Sequence, residues 1–243
     1  MEKDIWIYRP GSTYKKLHEE IGDFDDWIFR QIPAEMKPRR RTVTTEELPT
    51  AILESPVPRA LFITGSHRMV TEPSPAEEKS FSALQKLFER KEAPAVFGIC
   101  YGHQLLAHLL GGTVSNRSDG PEIGFASVTF ENSSEAASDP VFGNLSGKTL
   151  PFFAVHFQHV ERLPEGAVLL AQSKKERCHA FRFGEKFWGV QFHPEFPEEA
   201  TRYYAAENGV PFEENRFFES SLIRDFLRCA LKGSGRREFR QQA

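Results

Sequence analysis

The chain has 243 residues, a length that fits one α/β domain or two small ones, and we favour a single domain over residues 1–235. Its formal net charge of −3 gives no sign of the basic surface that nucleic-acid binding requires. Three cysteines, no apolar run long enough to cross a bilayer and no signal-peptide pattern at the start argue against a disulfide framework and a membrane protein, and predict a cytoplasmic protein.

The N-terminal quarter alternates apolar runs with structure breakers. An apolar run at residues 5–8 is typical of a short strand, and it ends at Pro10-Gly11. The other elements predicted here are a helix capped by Ser12 or Thr13 and running to residue 21, a second strand over 27–32, a solvated basic loop over 37–41, and a short helix or turn over 46–54. The consecutive arginines of the basic loop are an alternative signal for phosphate binding, which the balanced charge of the chain disfavours.

A buried strand over residues 60–64 runs directly into Gly65-Ser66. Loops at the carboxyl ends of parallel strands are where open α/β sheets bind ligands. This loop is therefore either a simple turn or the source of a backbone N–H that faces a reacting group. Apolar residues at helical spacing then predict an amphipathic helix over 76–90, and the alternation of strands and helices predicts a mostly parallel, doubly wound sheet.

The next segment carries a cysteine between two glycines, Gly98-Ile99-Cys100-Tyr101-Gly102. An apolar strand ends here and a helical pattern follows, which is typical of a sharp elbow that presents a nucleophile. The N-terminal end of a helix favours the thiolate form of Cys100, and the N–H of Tyr101 is placed to stabilise an oxyanion. The alternative interpretation is that Cys100 is a small buried core residue at the end of a strand.

The second half of the chain has short apolar runs without full-length helices between them. Such runs predict antiparallel strands that extend the sheet, over 125–130, 149–155, 168–172, 178–183 and 187–191. Closing helices are predicted over 198–207 and 217–231, and residues 236–243 are expected to form a disordered tail.

The last strand leads into His193-Pro194-Glu195. A cysteine nucleophile needs a base within hydrogen-bond reach, and that base needs a third group to fix its tautomer. His193 and Glu195 fit these two roles, and Pro194 stiffens the chain between them. A lone histidine at a strand end is usually structural, but its combination with the Cys100 elbow and the Gly65-Ser66 loop predicts one catalytic site.

Two segments, Gly-Ile-Cys-Tyr-Gly-His-Gln at 98–104 and Gly-Val-Gln-Phe-His-Pro-Glu-Phe at 189–196, resemble the class I (triad-type) glutamine amidotransferase family. The resemblance is to stand-alone members related to the amidotransferase domain of GMP synthase, and it extends over residues 61–196. It implies a flavodoxin-like open α/β fold and chemistry without a cofactor or metal. A cysteine attacks the side-chain amide of L-glutamine, a thioester forms, ammonia leaves, and water releases glutamate.

The resemblance also implies a role for individual residues. Cys100 corresponds to the nucleophile, His193 to the base and Glu195 to the orienting carboxylate. Gln104, four residues after the nucleophile, corresponds to a glutamine-contacting residue. The N–H of Tyr101 corresponds to one oxyanion donor.

Two segments depart from the family pattern. The second oxyanion donor is implied to be the N–H of Gly65 or Ser66, where the family usually has Gly-Gly-Pro. The segment that holds the amino-acid end of glutamine corresponds to Val155, His156 and Phe157, with phenylalanine where glycine is common. This change could reshape the pocket so that the substrate is a γ-glutamyl conjugate.

Three hypotheses about function follow. The first is a glutamine amidotransferase or glutaminase whose ammonia passes to a separate synthetase subunit, because the chain has no phosphate-binding loop of its own. The second is a hydrolase of γ-glutamyl peptides or conjugates by the same thioester chemistry. The third is a non-catalytic regulatory protein that keeps the fold, which the complete set of Cys100, His193 and Glu195 disfavours.

Overall fold

The computed structural model describes residues 4–36 and 38–232 of the chain. At its centre is a nine-stranded sheet in the order β2-β1-β3-β4-β11-β10-β9-β6-β7, accompanied by a two-stranded sheet of β5 and β8. The strands are β1 Asp4–Arg9, β2 Arg39–Thr44, β3 Ala60–Ile63, β4 Ala95–Ile99, β5 Thr113–Asn116, β6 Glu122–Phe130, β7 Thr149–His156, β8 Gln158–Arg162, β9 Val168–Gln172, β10 Ala180–Phe183 and β11 Phe187–Val190.

Helices cover both faces of the sheet. They are α1 Lys15–Ile21, α2 Phe24–Arg30, α3 Leu48–Glu54, α4 Pro75–Phe88, α5 Tyr101–Leu109, α6 Ser134–Ala137, α7 Glu198–Glu207 and α8 Leu222–Lys232.

The first five strands in this order, β2, β1, β3, β4 and β11, run parallel to one another. Successive residues of β3 enter different cores, because side chains alternate between the two faces of a strand. Ala60 and Phe62 pack with residues of α8, whereas Leu61 and Ile63 pack with residues of α3, α4 and α5. Burial on both faces explains why these strands are continuous apolar runs, and it confirms the predicted α/β class.

The sheet continues in antiparallel fashion through β10, β9, β6 and β7. This extension also confirms the prediction for the second half of the chain. The small sheet of β5 and β8 was not predicted. β8 has the sequence Gln-His-Val-Glu-Arg, with one apolar side chain, so its hydropathy gives no strand signal.

The predicted strand over residues 27–32 is wrong, because this segment lies largely in α2. Asp23 caps the helix, and Asp26 completes a reciprocal capping box with it. Phe24, Trp27 and Ile28 are all buried, and their spacing of three and four residues is that of one helix face. The aromatic and β-branched composition favours a strand, but the cap and the helical spacing decide the structure.

The predicted basic loop over 37–41 is also wrong for residues 39–41. They begin β2, which pairs with β1 at the edge of the sheet. The guanidinium of Arg39 pairs with Asp4, and that of Arg40 pairs with Asp25. Ion pairs of this kind let arginines occupy an edge strand, where charge also discourages pairing with another chain.

Several helix boundaries differ from the predicted ones. The N-cap of α1 is Tyr14, since the hydroxyl of Thr13 is hydrogen-bonded to Tyr204 at 2.9 Å. The last helix begins at Leu222, five residues after the predicted position 217. The predicted tail over 236–243 lies outside the described residues. Among the described helices, none is long and apolar enough to cross a membrane.

Candidate active site

The cysteine elbow lies between β4 and α5. Among the described residues, Cys100 is the non-glycine residue with a positive φ, 51°. Such a conformation costs on the order of 1–3 kcal/mol and persists where the surrounding structure holds it. A Cβ atom at Gly98 would collide with the carbonyl of Gly102, and one at Gly102 would collide with the carbonyl of Ile63. Both glycines are needed because the start of α5 packs directly on two strands.

Strand register brings the second predicted motif to the elbow. Strands β4 and β11 are parallel neighbours, with Gly98 opposite Gly189. The N–H of Cys100 donates to the carbonyl of Val190 at 2.8 Å. His193 therefore follows β11 at the same sheet edge where Cys100 follows β4.

His193 and Glu195 form a buried pair. Their Nδ1 and Oε1 atoms lie 2.8 Å apart, and both side chains are almost fully buried. The side chain of Gln31 donates to the carbonyl of Pro194 at 2.8 Å and holds the turn between them. The ring of Phe196 stacks on His193 at 4.1 Å between centroids. The imidazole orientation is thus fixed by a carboxylate on one side and an aromatic ring on the other.

The pKa of His193 is raised to about 10. Burial alone would lower it, but the negative charge of the Glu195 carboxylate and its hydrogen bond to Nδ1 outweigh burial. Within the described part of the chain, no hydrogen-bond partner reaches the buried Nε2 of His193. The sulfur of Cys100 lies 3.7 Å from the carbonyl oxygen of Val155. The site therefore favours the protonated form of the His193 imidazole.

The loop after β3 approaches the same two side chains. A Cβ atom at Gly65 would lie 3.0 Å from Cε1 of His193 and 3.8 Å from Cβ of Cys100. Only a residue without a side chain gives this approach without moving the imidazole. Tyr101 is the first residue of α5, so its N–H is one of the donors that helix geometry leaves without an intrahelical partner. The backbone of two segments, the loop at Gly65 and the start of α5, thus lies beside Cys100.

A cavity of about 270 Å³ opens above Cys100 and His193. Of the residues predicted to contact substrate or oxyanion, it is lined by Ser66, Gln104, Val155, His156 and Phe157. The backbone segments of Gly65 and Tyr101 adjoin the lining residues Ser66 and Cys100. The structure therefore brings all ten sequence-predicted site residues to one place.

Hydrogen bonds show how two of these residues are held. The amide of Gln104 donates to the carbonyl of Gln158 at 2.7 Å and to the side chain of Gln191 at 3.1 Å. The imidazole of His156 lies 2.8 Å from the carbonyl of Gln158 and 3.0 Å from Glu122. Both polar side chains are thus engaged inside the protein, while Phe157 is 51% exposed beside the cavity.

The side chain of His156 belongs to a cluster of buried polar residues that also contains Glu122, His179, Arg117 and Glu176. Burial alone would raise the pKa of Glu122, but the hydrogen bond from His156 and the charges of His179, His156 and Arg117 lower it below its ordinary value. Burial lowers the pKa of His179 to about 4. The guanidinium of Arg117 pairs with Glu176 at 2.8 Å.

Several residues of the site were not found from the sequence. The ring of Tyr204 in α7 lines the cavity, and its hydroxyl is hydrogen-bonded to His67 at 3.0 Å. Tyr14 packs on Tyr204 with 5.0 Å between ring centroids. The side chains of Gln158 and Glu77 accept hydrogen bonds from residues of the loop after β3, which lies beside Cys100. Of these residues, only Glu77 lies in a recognisable local pattern, the Ser-x-x-Glu capping box. That pattern indicates the start of a helix and not a catalytic site.

The fold and the site together define an open α/β protein in which a cysteine elbow, a histidine and a carboxylate meet at the carboxyl ends of neighbouring parallel strands. Residues 21–210 match the family described as glutamine amidotransferase class-I. The match spans most of the chain, and the chain belongs to this family. The resemblance read from the two motifs is thereby confirmed.

Relatives of this chain include gamma-glutamyl peptidases and GMP synthases. Gamma-glutamyl peptidase 5 of Arabidopsis thaliana is 36% identical over 121 residues, which cover 50% of this chain and 47% of that protein. A glutamine-hydrolysing GMP synthase of Thermosipho melanesiensis is 33% identical over 198 residues, 79% of this chain and 33% of that protein. The matched segments therefore span about half or less of these relatives' own lengths.

A solved structure supports the fold over nearly the whole chain. A glutamine amidotransferase from Thermotoga maritima superposes with a TM-score of 0.69 at 23% identity, covering 96% of this chain and 98% of that one. At this identity the likeness concerns the fold. The family and these relatives are amidotransferases and peptidases, so the family is one of enzymes.

Proposed function

We propose that this protein hydrolyses the side-chain amide of L-glutamine through a cysteinyl thioester. The observation that carries the proposal is the convergence of Cys100, His193 and Glu195 on one cavity. Cys100 stands on a strained turn, and His193 is held by the buried Glu195 carboxylate. Structural needs alone do not require these three groups together.

The mechanism uses only groups of this chain, the substrate and water. The thiolate of Cys100 attacks the amide carbon, and the oxyanion accepts hydrogen bonds from the N–H of Tyr101 and of Gly65 or Ser66. The imidazolium of His193 gives its proton to the leaving nitrogen, the C–N bond breaks, and ammonia leaves. His193 then takes a proton from water, whose oxygen attacks the thioester; the C–S bond breaks, the Cys100 thiolate is regenerated beside the imidazolium, and glutamate leaves.

Glu195 stabilises the imidazolium throughout and fixes the tautomer by its contact with Nδ1. We further propose that Gln104, Val155, His156 and Phe157, which line the cavity, hold the amino-acid end of the substrate. The ammonia acceptor is proposed to be a synthetase subunit, since GMP synthases are among the relatives. We propose the cytoplasm as the site of this reaction, on the sparse cysteines.

A second candidate is hydrolysis of γ-glutamyl conjugates with the same residues. The observation that favours it is the aromatic wall of Tyr14, Phe24, Phe157 and Tyr204 around the cavity. Such a wall is suited to an amine portion larger than ammonia. Gamma-glutamyl peptidases among the relatives support this candidate.

The test is release of ammonia and glutamate from L-glutamine by the purified protein, with Cys100→Ala as the control. A panel of γ-glutamyl peptides and γ-glutamyl anilides is measured in parallel. Cys100-dependent release from L-glutamine supports the first candidate, and a preference of at least about tenfold in kcat/KM for conjugates supports the second. If neither is turned over and Cys100 does not react with a diazoketone analogue of glutamine, a non-catalytic role replaces both.

A further inference from the structure

Glu77, in the first turn of α4, is a buried carboxylate that no step of the proposed mechanism uses. Its side chain is 3% exposed. One oxygen accepts a hydrogen bond from the hydroxyl of Tyr101 at 3.0 Å. The other accepts one from the guanidinium of Arg68, also at 3.0 Å. A buried charge is retained at low cost only when its oxygens are satisfied in this way.

The two donors belong to the two segments that surround the thiol. Tyr101 directly follows Cys100, and Arg68 lies three residues after Gly65 in the loop that follows β3. The N–H of Arg68 also donates to the hydroxyl of Ser66 at 3.1 Å. Glu77 is therefore the bridge between the backbone segments that are proposed to supply the two oxyanion donors.

Electrostatics keep this bridge intact near neutral pH. Burial raises the pKa of Glu77, but hydrogen bonds from Ser74 and Tyr101 and the charge of Arg68 outweigh burial and lower it. An ionised carboxylate accepts at both oxygens, so it holds both segments at once.

We propose that Glu77 is a positioning residue that sets the separation between the two halves of the oxyanion hole. The inference rests on the proposed thioester chemistry. An oxyanion hole acts through donors fixed before the reaction, and a displacement of about 1 Å is enough to lose much of the rate. Glu77 then affects the transition state more than the ground-state complex.

Glu77 also has a local structural role that the experiment must separate. Ser74 donates to Oε2 of Glu77 from its N–H and its hydroxyl, at 3.0 and 2.7 Å, and the two residues form the capping box of α4. Ser74→Ala removes this cap and leaves Arg68 and Tyr101 on the carboxylate. Glu78→Ala removes a neighbouring exposed carboxylate from the same helix turn.

The experiment measures kcat and KM with the substrate that the wild-type protein hydrolyses. We expect Glu77→Ala to lower kcat by about 30-fold or more while KM stays within about threefold, because the lost interaction is one of the transition state. Tyr101→Phe should lower kcat by about fivefold to tenfold, and adding it to Glu77→Ala should have no further effect, since both changes break one bridge. Ser74→Ala should lower the melting temperature with a smaller loss of kcat than Glu77→Ala, and Glu78→Ala should change little.

A kcat within twofold of wild type in Glu77→Ala would overturn the proposal, and so would an equal loss in Ser74→Ala. If Glu77→Ala does not fold, the isosteric Glu77→Gln and Tyr101→Phe provide the same comparison. If the wild-type protein hydrolyses neither class of substrate, the proposed function fails separately. Hydrogen exchange of the amides in residues 65–71 then decides, because unchanged protection in Glu77→Gln would overturn the positioning role.

Discussion

The Glu195 carboxylate sets the charge state of the His193 imidazole. The imidazole sits between the thiol and a carboxylate that is 1% exposed. The buried negative charge of Glu195 favours the protonated ring even though the surroundings exclude water. The residue types and their order predicted this set, but the charge state depends on burial that only the fold supplies.

The three residues should differ in how much activity their loss removes. We expect Cys100→Ser and His193→Ala to lower kcat by at least about 10³-fold, since one weakens the nucleophile and the other removes its base. Glu195→Gln should cost less, about 10–100-fold, because an amide still orients the ring but stabilises the imidazolium poorly. Steady-state ammonia release measures this, with Cys229→Ser as the matched thiol control. Near-wild-type turnover in Cys100→Ser would contradict the mechanism.

The raised pKa of His193 also makes a contribution to stability that depends on pH. Its pKa is about 10 in the folded protein and 6.5 in an unfolded chain. The contribution is therefore complete below about pH 6.5, and it is lost as pH rises towards 10, because the unfolded state releases its proton first.

Urea unfolding of the wild type and His193→Gln at about pH 6 and pH 9.5 tests this. We expect the difference in unfolding free energy between the two proteins to be smaller at the higher pH. In a Glu195→Gln background this change with pH should shrink, since the largest charge that raises the pKa is gone. A difference that is the same at both pH values would refute the coupling.

At the scale of elements, two segments can pack closely at the site only because each contact contains a glycine. Gly98 lets the start of α5 lie on β4, and Gly65 lets the loop after β3 lie on the imidazole. The first contact is backbone against backbone and the second is backbone against a side chain. Their substitutions should therefore have different consequences.

We expect Gly98→Ala to destabilise the protein by about 3 kcal/mol or more, because neither backbone can retreat from the new methyl group. Gly65→Ala should leave stability within about 1 kcal/mol and lower kcat by about tenfold or more, since His193 must shift by a few tenths of an ångström. Urea unfolding and steady-state kinetics on both variants check the two outcomes. Equal loss of stability in both variants would mean that the loop contact is part of the core packing.

The elements themselves show where local sequence was sufficient. β9 and α7 begin and end at the predicted residues, because apolar periodicity and flanking breakers agree there. α2 was predicted as a strand, because a run of aromatic and β-branched residues outweighed the Asp23 cap. Signals that agree determine an element, whereas conflicting signals leave the decision to packing.

At the scale of the whole molecule, the cavity lies between the parallel and antiparallel halves of the sheet. Gln158, in β8, is one of the residues that line it. Its side-chain oxygen accepts from the N–H of Val70 at 2.9 Å, and its nitrogen donates to Thr71 and Asn116 at 2.6 and 2.8 Å. Its carbonyl accepts from Gln104. This side chain, which is 1% exposed, thus ties the loop after β3 to the two-stranded sheet, and the carbonyl of Gln158 ties that sheet to α5.

Gln158→Leu should therefore affect folding and chemistry together. We expect a loss of about 2–4 kcal/mol in unfolding free energy, because it leaves a buried backbone N–H without its acceptor. Amides of residues 65–71 should exchange faster, and kcat/KM should fall. Denaturant unfolding and hydrogen exchange measure these effects, with the exposed Gln172→Leu as control. Unchanged protection of the loop would show that Gln158 is not what holds it.

The sequence by itself determined the family and the class of fold, and it predicted the chemistry. Cys100, His193 and Glu195 were recognisable because an elbow and a strand end impose local geometry that only certain residue types satisfy. Continuous apolar runs alternating with helical patterns likewise imposed a mostly parallel sheet, because parallel strands are buried on both faces.

Only the tertiary structure decided what surrounds that chemistry. Glu77 and Gln158 act across 24 and 54 residues of chain to reach Tyr101 and Gln104. The aromatic wall brings together α1 and α7, from opposite ends of the described chain. Such contacts leave no local pattern, because they depend on which distant surfaces the fold places side by side.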